Sequence, residues 1–276
     1  MTRPPQRGRQ DSKEVVELRA LAERQPELSA AASLQIELMG ALRRIQTRVA
    51  TASTVLSAEE MAARLSSGQP LITFDRLLID WNEARLLFRQ VTDILRRHDA
   101  VDVPSASRLH EIARSAELPD LARRWFDNGV SDTGLDMLDE VLAWSLRPFL
   151  IRTSEVLQQR AAFGGWKRGI CPVCGGEPDF ACITTAGERL LICCRCQTRW
   201  PTEPFACPFC GESDRQRITS FATPDGTYRV TACQSCRRYL KTLDGRRAGR
   251  TVMPAVDSIA TLPLDAVVMQ RGFKNG

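Results

Sequence analysis

Ten cysteines are the residues in this chain best suited to chemistry, and all of them fall between Cys171 and Cys236. Eight form Cys-x-x-Cys pairs: Cys171/Cys174, Cys193/Cys196, Cys207/Cys210 and Cys233/Cys236. Two intervening residues let one tight turn aim both sulfurs at a single ion, while nearby backbone N–H groups soften the thiolate charge. Two such turns on facing hairpins supply a tetrahedral four-sulfur shell, which suits zinc or a single iron. One pair alone is a weak signal, whereas four pairs in 66 residues, separated by 18, 10 and 22 residues, are a strong one. The expectation is two metal ions held by these eight residues.

The segment reads as an internal repeat. CPVCG and CPFCG each open a unit, and their glycines permit the positive φ that such a turn needs. Each unit then runs through a strand to a plainer closing pair, CCRC or CQSC, and on to an aromatic, Trp200 or Tyr239. This favours pairing 171/174 with 193/196 and 207/210 with 233/236. Nested pairing, in which the middle two pairs share an ion, is the rival. Cys182 and Cys194 remain, read as buried inert thiols against a sulfur-handling or redox role.

The rest of the chain offers little for catalysis. It has two histidines, His98 at a helix end and His110 on an amphipathic stretch, and lacks a Gly-rich phosphate loop, GxSxG and HExxH. No enzyme is expected. The formal charge of +5 counts thiols as neutral, and eight thiolates with two divalent ions bring it near +1. Arg195, Arg199, Arg237 and Arg238 are expected to offset their own metal sites. A near-neutral loaded protein with few aromatics argues against nucleic acid as a partner, leaving the basic run Arg246-Arg247-Ala-Gly-Arg250 as a solvated loop.

The elements that position the cysteines divide the chain in two. Residues 1–165 predict a helical bundle after about eleven disordered residues, and residues 166–276 a tandem tetracysteine ribbon domain with a C-terminal tail. The fold class is α+β, mainly α, with two small rubredoxin- or zinc-ribbon-like modules. Leu34, Leu38, Leu42, Ile45 and Val49 form one helical stripe; Leu77, Trp81, Ala84, Phe88, Val91 and Leu95 form another, on a helix starting near Leu77. Ser57-Ala-Glu-Glu is a capping box, and Pro104 and Pro119 suit first helical turns. Asp132 opens a further helix, which Pro148 is expected to kink or restart. Phe163-Gly-Gly-Trp-Lys-Arg-Gly is the linker, followed by short strands such as Arg189-Leu-Leu-Ile and Tyr228-Arg-Val-Thr. The stretch Asp257–Asp265 packs back on the protein. No apolar run approaches the ~18 residues of a membrane span, and no secretory h-region follows the basic start. A cytoplasmic protein is expected, and the reducing compartment suits free thiolates.

Certain residues resemble a known family. A helical half precedes Trp166-x-x-Gly-x-Cys-Pro-Val-Cys-Gly, then Cys193-x-x-Cys-x-x-x-Trp, Cys207-Pro-x-Cys-Gly and Cys233-x-x-Cys-x-x-Tyr-Leu-Lys. Leu262-Pro-Leu-Asp and Gly272-Phe follow. Together these look like the formate dehydrogenase accessory protein FdhE family, specifically from Trp166 to Phe273 and architecturally before that. The resemblance implies a cytoplasmic bacterial factor that binds the catalytic subunit of a respiratory formate dehydrogenase and supports its activation. It also implies rubredoxin-like iron at the eight ligand positions. The alternatives are a rubredoxin-like redox protein delivering electrons and a zinc-ribbon nucleic-acid-binding protein.

Overall fold

A computed structural model of the chain describes residues 12–49 and 56–275. The expectation for the first eleven residues lies outside them.

Among the described residues, seven α-helices build the N-terminal half: α1 (Lys13–Arg24), α2 (Ser29–Gln46), α3 (Ala58–Ser66), α4 (Trp81–Arg97), α5 (Val103–Arg114), α6 (Leu118–Asn128) and α7 (Leu138–Gln158). Local chemistry sets several starts. Ser57 accepts from the Glu60 N–H while the Glu60 carboxylate accepts from the Ser57 N–H, a complete capping box. Asp80 caps α4 through the amides of Asn82 and Glu83, so the helix begins at Trp81 and not near Leu77, which ends a 3-10 turn. The apolar stripe still holds, with Ala84, Phe88, Val91 and Leu95 buried. Asp132 sits at φ 57° in the preceding loop, and α7 starts only at Leu138.

Pro148 does not interrupt α7, which is continuous through it. A mid-helix proline costs about 3 kcal/mol. Against this, α7 packs on α2, α4 and α6, and Leu142, Leu146, Phe149 and Leu150 are each at most 2% exposed. Burying four such side chains contributes about 1.5–3 kcal/mol apiece, so packing prevails over local propensity.

Beyond residue 165 come β1 (Pro178–Ile183), β2 (Arg189–Cys193), β3 (Arg199–Pro201), β4 (Ile218–Ala222), β5 (Tyr228–Cys233) and β6 (Arg238–Asp244). The chain ends with α8 (Gly245–Ala248), α9 (Pro254–Ala260), α10 (Leu262–Gln270) and β7 (Lys274–Asn275). Each ribbon is an antiparallel meander, but the two are not separate. β1 and β6 pair in parallel, from Phe180 opposite Lys241 to Ile183 opposite Asp244, giving one sheet in the order β3-β2-β1-β6-β5-β4. β7 pairs with the start of β6, joining the C-terminal end to the sheet.

The main hydrophobic core runs unbroken from the helices into the sheet. It takes in Phe88, Trp125, Leu142 and Leu150 on one side and Val173, Ala181, Leu191, Trp200 and Leu240 on the other. Segments 1–165 and 166–276 thus share one interior. The linker also touches the second ribbon closely: a Cβ on Gly169 would lie 1.7 Å from the Pro208 carbonyl oxygen, so only glycine fits there.

Candidate metal centres

The eight cysteines of the Cys-x-x-Cys pairs gather into two groups of four. Cys171, Cys174, Cys193 and Cys196 form one; Cys207, Cys210, Cys233 and Cys236 form the other. Within each group the sulfurs all lie within 4.8 Å of one another, in the sequential and not the nested arrangement.

Four turns of one design hold them. Gly175 N–H donates to the Cys171 carbonyl at 3.0 Å, Gln197 to Cys193 at 3.2 Å, Gly211 to Cys207 at 2.9 Å and Arg237 to Cys233 at 3.0 Å. Each donor directly follows the second cysteine of its pair, and all four are left-handed, at φ 72°, 60°, 76° and 60°. Glycine meets that demand in the two opening turns. Gln197 and Arg237 meet it against their Cβ atoms, a strain of about 1–2 kcal/mol that the sequence does not reveal. The Val173 and Arg195 amides point at Cys171 and Cys193 sulfur, each at 3.4 Å, spreading thiolate charge onto the backbone.

The donor set fits a tetrahedral ion. Metal–sulfur bonds of about 2.3 Å imply sulfur–sulfur edges of roughly 3.8 Å. The short edges are 3.4 and 3.5 Å in the first group and 3.6 and 3.7 Å in the second. These separations are far beyond a disulfide of about 2.05 Å, and all ten cysteines are free thiols. Without a cation such crowding cannot support four thiolates. Burial pushes the Cys171 thiol well up. Burial acts to raise Cys193 too, but hydrogen bonds from Cys171, Cys194 and Cys196 outweigh it and bring it down to about 5. A divalent ion removes that conflict.

The surroundings of the two groups differ. The first lies inside the shared core, its four cysteines at most 3% exposed. Leu71 and Ile72 amides donate to the Pro172 and Val173 carbonyls at 2.8 and 2.9 Å. Ser154 hydroxyl and Arg147 guanidinium, both on α7, donate to the Cys196 and Cys194 carbonyls at 3.0 and 2.6 Å. In the second group Cys210 is exposed and Cys236 half-buried. Its turns are held by Gln234 N–H on the Arg217 carbonyl at 2.8 Å and Ser235 hydroxyl on Glu212 at 2.6 Å, and by the tail, where the Lys274 amide donates to the Arg237 carbonyl at 2.8 Å.

The four arginines expected to offset the thiolates mostly do something else. Arg195 is 9% exposed and donates to the Phe126 and Trp125 carbonyls at the end of α6, at 2.7 and 3.2 Å. Arg199 donates to the Val252 carbonyl at 3.3 Å, and Arg237 stacks on Phe273 with its Cζ 4.2 Å from the ring centroid. Arg238 pairs with Glu177 over the Phe209 ring and is the one whose charge also bears on Cys207 and Cys236. Helix-end carbonyls and aromatic faces compete well for guanidinium donors once thiolate charge is met by a metal.

Sequence reasoning left the tail acids unassigned, yet they pin the tail to the sheet. Asp257, fully buried, accepts from Tyr228 Oη at 2.8 Å, from both Arg250 Nη atoms at 3.1 and 2.5 Å, and from the Met253 amide at 2.7 Å. Asp265 accepts from Tyr239 Oη at 2.7 Å and Lys241 Nζ at 2.6 Å. The spacing of two acids in an apolar tail opposite Tyr and Lys on strands was the available signal. The basic run is not a free loop: it forms α8, with Arg246 on Asp244 and Arg250 on Asp257. Cys182 is 5% exposed and its thiol is pushed up by burial, as suits an inert core sulfur. Cys194 keeps partial access, lining a cavity of about 340 Å³ between α2, α7 and α9. His98 and His110 each meet a carboxylate, Glu37 and Asp93, both at 3.0 Å. No helix among the described residues is long and apolar enough to cross a membrane.

No family model matches the chain. Among curated proteins it is similar to "Protein FdhE homolog" of Aquifex aeolicus (strain VF5), 25% identical over 234 residues, covering 83% of this chain and 80% of that one. It is also similar to "Protein FdhE" of Escherichia coli O1:K1, 29% identical over 167 residues, or 59% of this chain. The match spans 53%, about half, of the Escherichia coli protein. Among solved structures, the crystal structure of the FdhE protein from Pseudomonas aeruginosa matches with a TM-score of 0.69 at 22% identity, over 95% of this chain and 91% of that one. The sequence relatives thus carry the FdhE name, and the chain shares its fold with a solved FdhE protein.

Proposed function

We propose that the chain is a formate dehydrogenase accessory protein that binds the catalytic subunit of that enzyme in the cytoplasm and supports its activation, without turning over a small molecule itself. The observation that carries this reading is the pair of four-cysteine clusters, built on four matched turns and fused to a helical scaffold in the fold of an FdhE protein. Residues 1–165 serve as scaffold and 166–276 as the metal-carrying half. Cys171, Cys174, Cys193 and Cys196 hold one ion, and Cys207, Cys210, Cys233 and Cys236 the other. A four-thiolate shell holds iron or zinc, and only iron there supplies one-electron chemistry. The rest of the work falls to the protein surface, whose shape depends on the sheet those ions brace.

The test is direct. Cells lacking the protein are expected to make the catalytic subunit but show little formate dehydrogenase activity. Purified protein is expected to associate with that subunit, and Cys171→Ser or Cys233→Ser to weaken the association along with metal content. Normal activity in its absence, or substrate turnover by the pure protein, sinks the reading. The redox alternative gains from one observation, the exposed edge at Cys210, since electron exchange needs a near-surface ion. Elemental analysis and a visible spectrum of anaerobically purified protein bear on both: iron with thiolate charge-transfer bands agrees with the accessory reading and permits redox delivery, while zinc alone excludes redox delivery and leaves the metal a structural role. Nucleic-acid binding loses its main support, since Arg246 and Arg250 of the basic run are held by Asp244 and Asp257.

A further inference from the structure

We propose that the two tetrathiolate sites divide the labour: Cys171/Cys174/Cys193/Cys196 is a closed structural site, and Cys207/Cys210/Cys233/Cys236 is the one that exchanges ligands with molecules outside. This rests on the reading that both groups hold metal, and goes beyond it by giving the sites different roles.

Ligand exchange at a four-thiolate ion is associative. An incoming donor must reach the ion along an open edge while one thiolate leaves and takes a proton from water; no electron moves. Access therefore decides the rate. At the first site the most exposed ligand is Cys174, at 3%. Core side chains cover most of the group, with Trp200 and Val173 fully buried in the same cluster; Cys193 borders the cavity between α2, α7 and α9 but is itself only 1% exposed. Its turns are bolted to the helical half from two directions: residues 71–72 hold Pro172 and Val173, and α7 holds the carbonyls of Cys194 and Cys196. Arg195 ties the second turn to the end of α6 as well. Opening this site means separating the sheet from the helices, which approaches global unfolding.

At the second site Cys210 is exposed and Cys236 half-buried. The neighbouring Phe205 is 63% exposed, with the Arg215 guanidinium 4.4 Å from its ring centroid. The hydrogen bonds that steady these turns run within the ribbon, as in Ser235 to Glu212 and Gln234 to Arg217, and to the tail, where Arg237 meets Arg271 and Lys274, and, among the described residues, not to the helical half. Local fraying of one turn is enough to admit a donor, and the helical core need not move. A soft donor from outside, such as a thiolate, meets the metal here first.

The full chain, loaded with two equivalents of zinc under reducing conditions, tests this with 4-(2-pyridylazo)resorcinol in excess. Release is expected in two phases of one equivalent each, the second slower by on the order of tenfold or more. Among the eight ligands, iodoacetamide is expected to modify Cys210 first and the four cysteines of the first site last. Cys210→Ser is expected to abolish the fast phase and keep the slow one. Ser154→Ala, which removes a bond to the Cys196 carbonyl but none to a ligand sulfur, is expected to quicken the slow phase alone by removing the α7 clamp. Release of both equivalents at one rate, or earlier labelling of the first site, overturns the proposal while leaving two metal sites standing. A chain that takes up no metal overturns both the proposal and the reading beneath it.

Discussion

Replacing Arg195 by alanine isolates the link between the first metal turn and the helical half. The guanidinium leaves the backbone between Cys194 and Cys196 and caps the end of α6, donating to the Phe126 and Trp125 carbonyls at 2.7 and 3.2 Å. Its Cζ lies 4.6 Å from the Trp125 ring centroid and 5.5 Å from that of Phe126. A hydrogen bond to a charged donor contributes about 1.5–3 kcal/mol. The ring contact adds about 0.5–2 kcal/mol, and charge at a helix C-terminus about 0.3–1 kcal/mol. These contributions overlap, so we expect a loss of about 3–5 kcal/mol, in the range for breaking a buried charged contact. Arg195→Lys keeps the charge but loses the fork that spans two carbonyls, and is expected to recover about half. Urea unfolding at saturating zinc measures both, with tryptophan fluorescence and far-ultraviolet circular dichroism required to give coincident transitions. The variant is also expected to release first-site zinc faster. A loss under about 1 kcal/mol, with unchanged release, refutes the idea that this arginine couples ribbon to bundle.

Three further outcomes are expected. Asp257→Ala leaves Arg250 and Tyr228 without their shared buried acceptor and should cost about 3–5 kcal/mol, with lost amide protection in α9 by hydrogen exchange; unchanged protection speaks against the anchor. Gln197 is exposed at φ 60°, so Gln197→Gly should stabilise the loaded protein by up to about 1 kcal/mol; a destabilised variant in urea unfolding means the side chain makes a contact that offsets its strain. Asp225 is held down at about 2 by hydrogen bonds from Thr223 and Thr227. Its depressed pKa contributes stability that is full above the ordinary aspartate value of 3.8 and lost as pH falls toward about 2. Asp225→Asn should therefore cost the same at pH 7 as at pH 5, at most about 1 kcal/mol because water screens the turn. A cost that shrinks between those two pH values contradicts the assignment.

Much of the molecule was legible before any coordinates. The spacing of Cys171/Cys174 and its three counterparts marks the turns, because a Cys-x-x-Cys pair has few backbone solutions that aim both sulfurs one way. The capping box at Ser57 and the prolines at 104 and 119 mark helix starts, because they act on amides within a turn of themselves. The errors have the opposite character. Pro148 fails to break α7 because the helix is gripped by three others, and Leu77 falls outside α4 because Asp80 captures the amides three residues on. Arg195 and Arg199 turn from the thiolates toward carbonyls of Trp125, Phe126 and Val252, partners far away in the chain.

By itself, then, the sequence determined the mainly helical half, the repeat and the eight sulfurs, since periodicity, capping and ligand spacing are short-range properties. Only the tertiary structure decided that the two ribbons merge through the β1–β6 pairing into one sheet and that Asp257 and Asp265 fasten the tail. It alone buried the first metal group in the helical core and left Cys210 of the second at the surface. The two units share one pattern of ligand pairs and strands. Burial is a property of what packs against each copy, and no spacing within the copy records it.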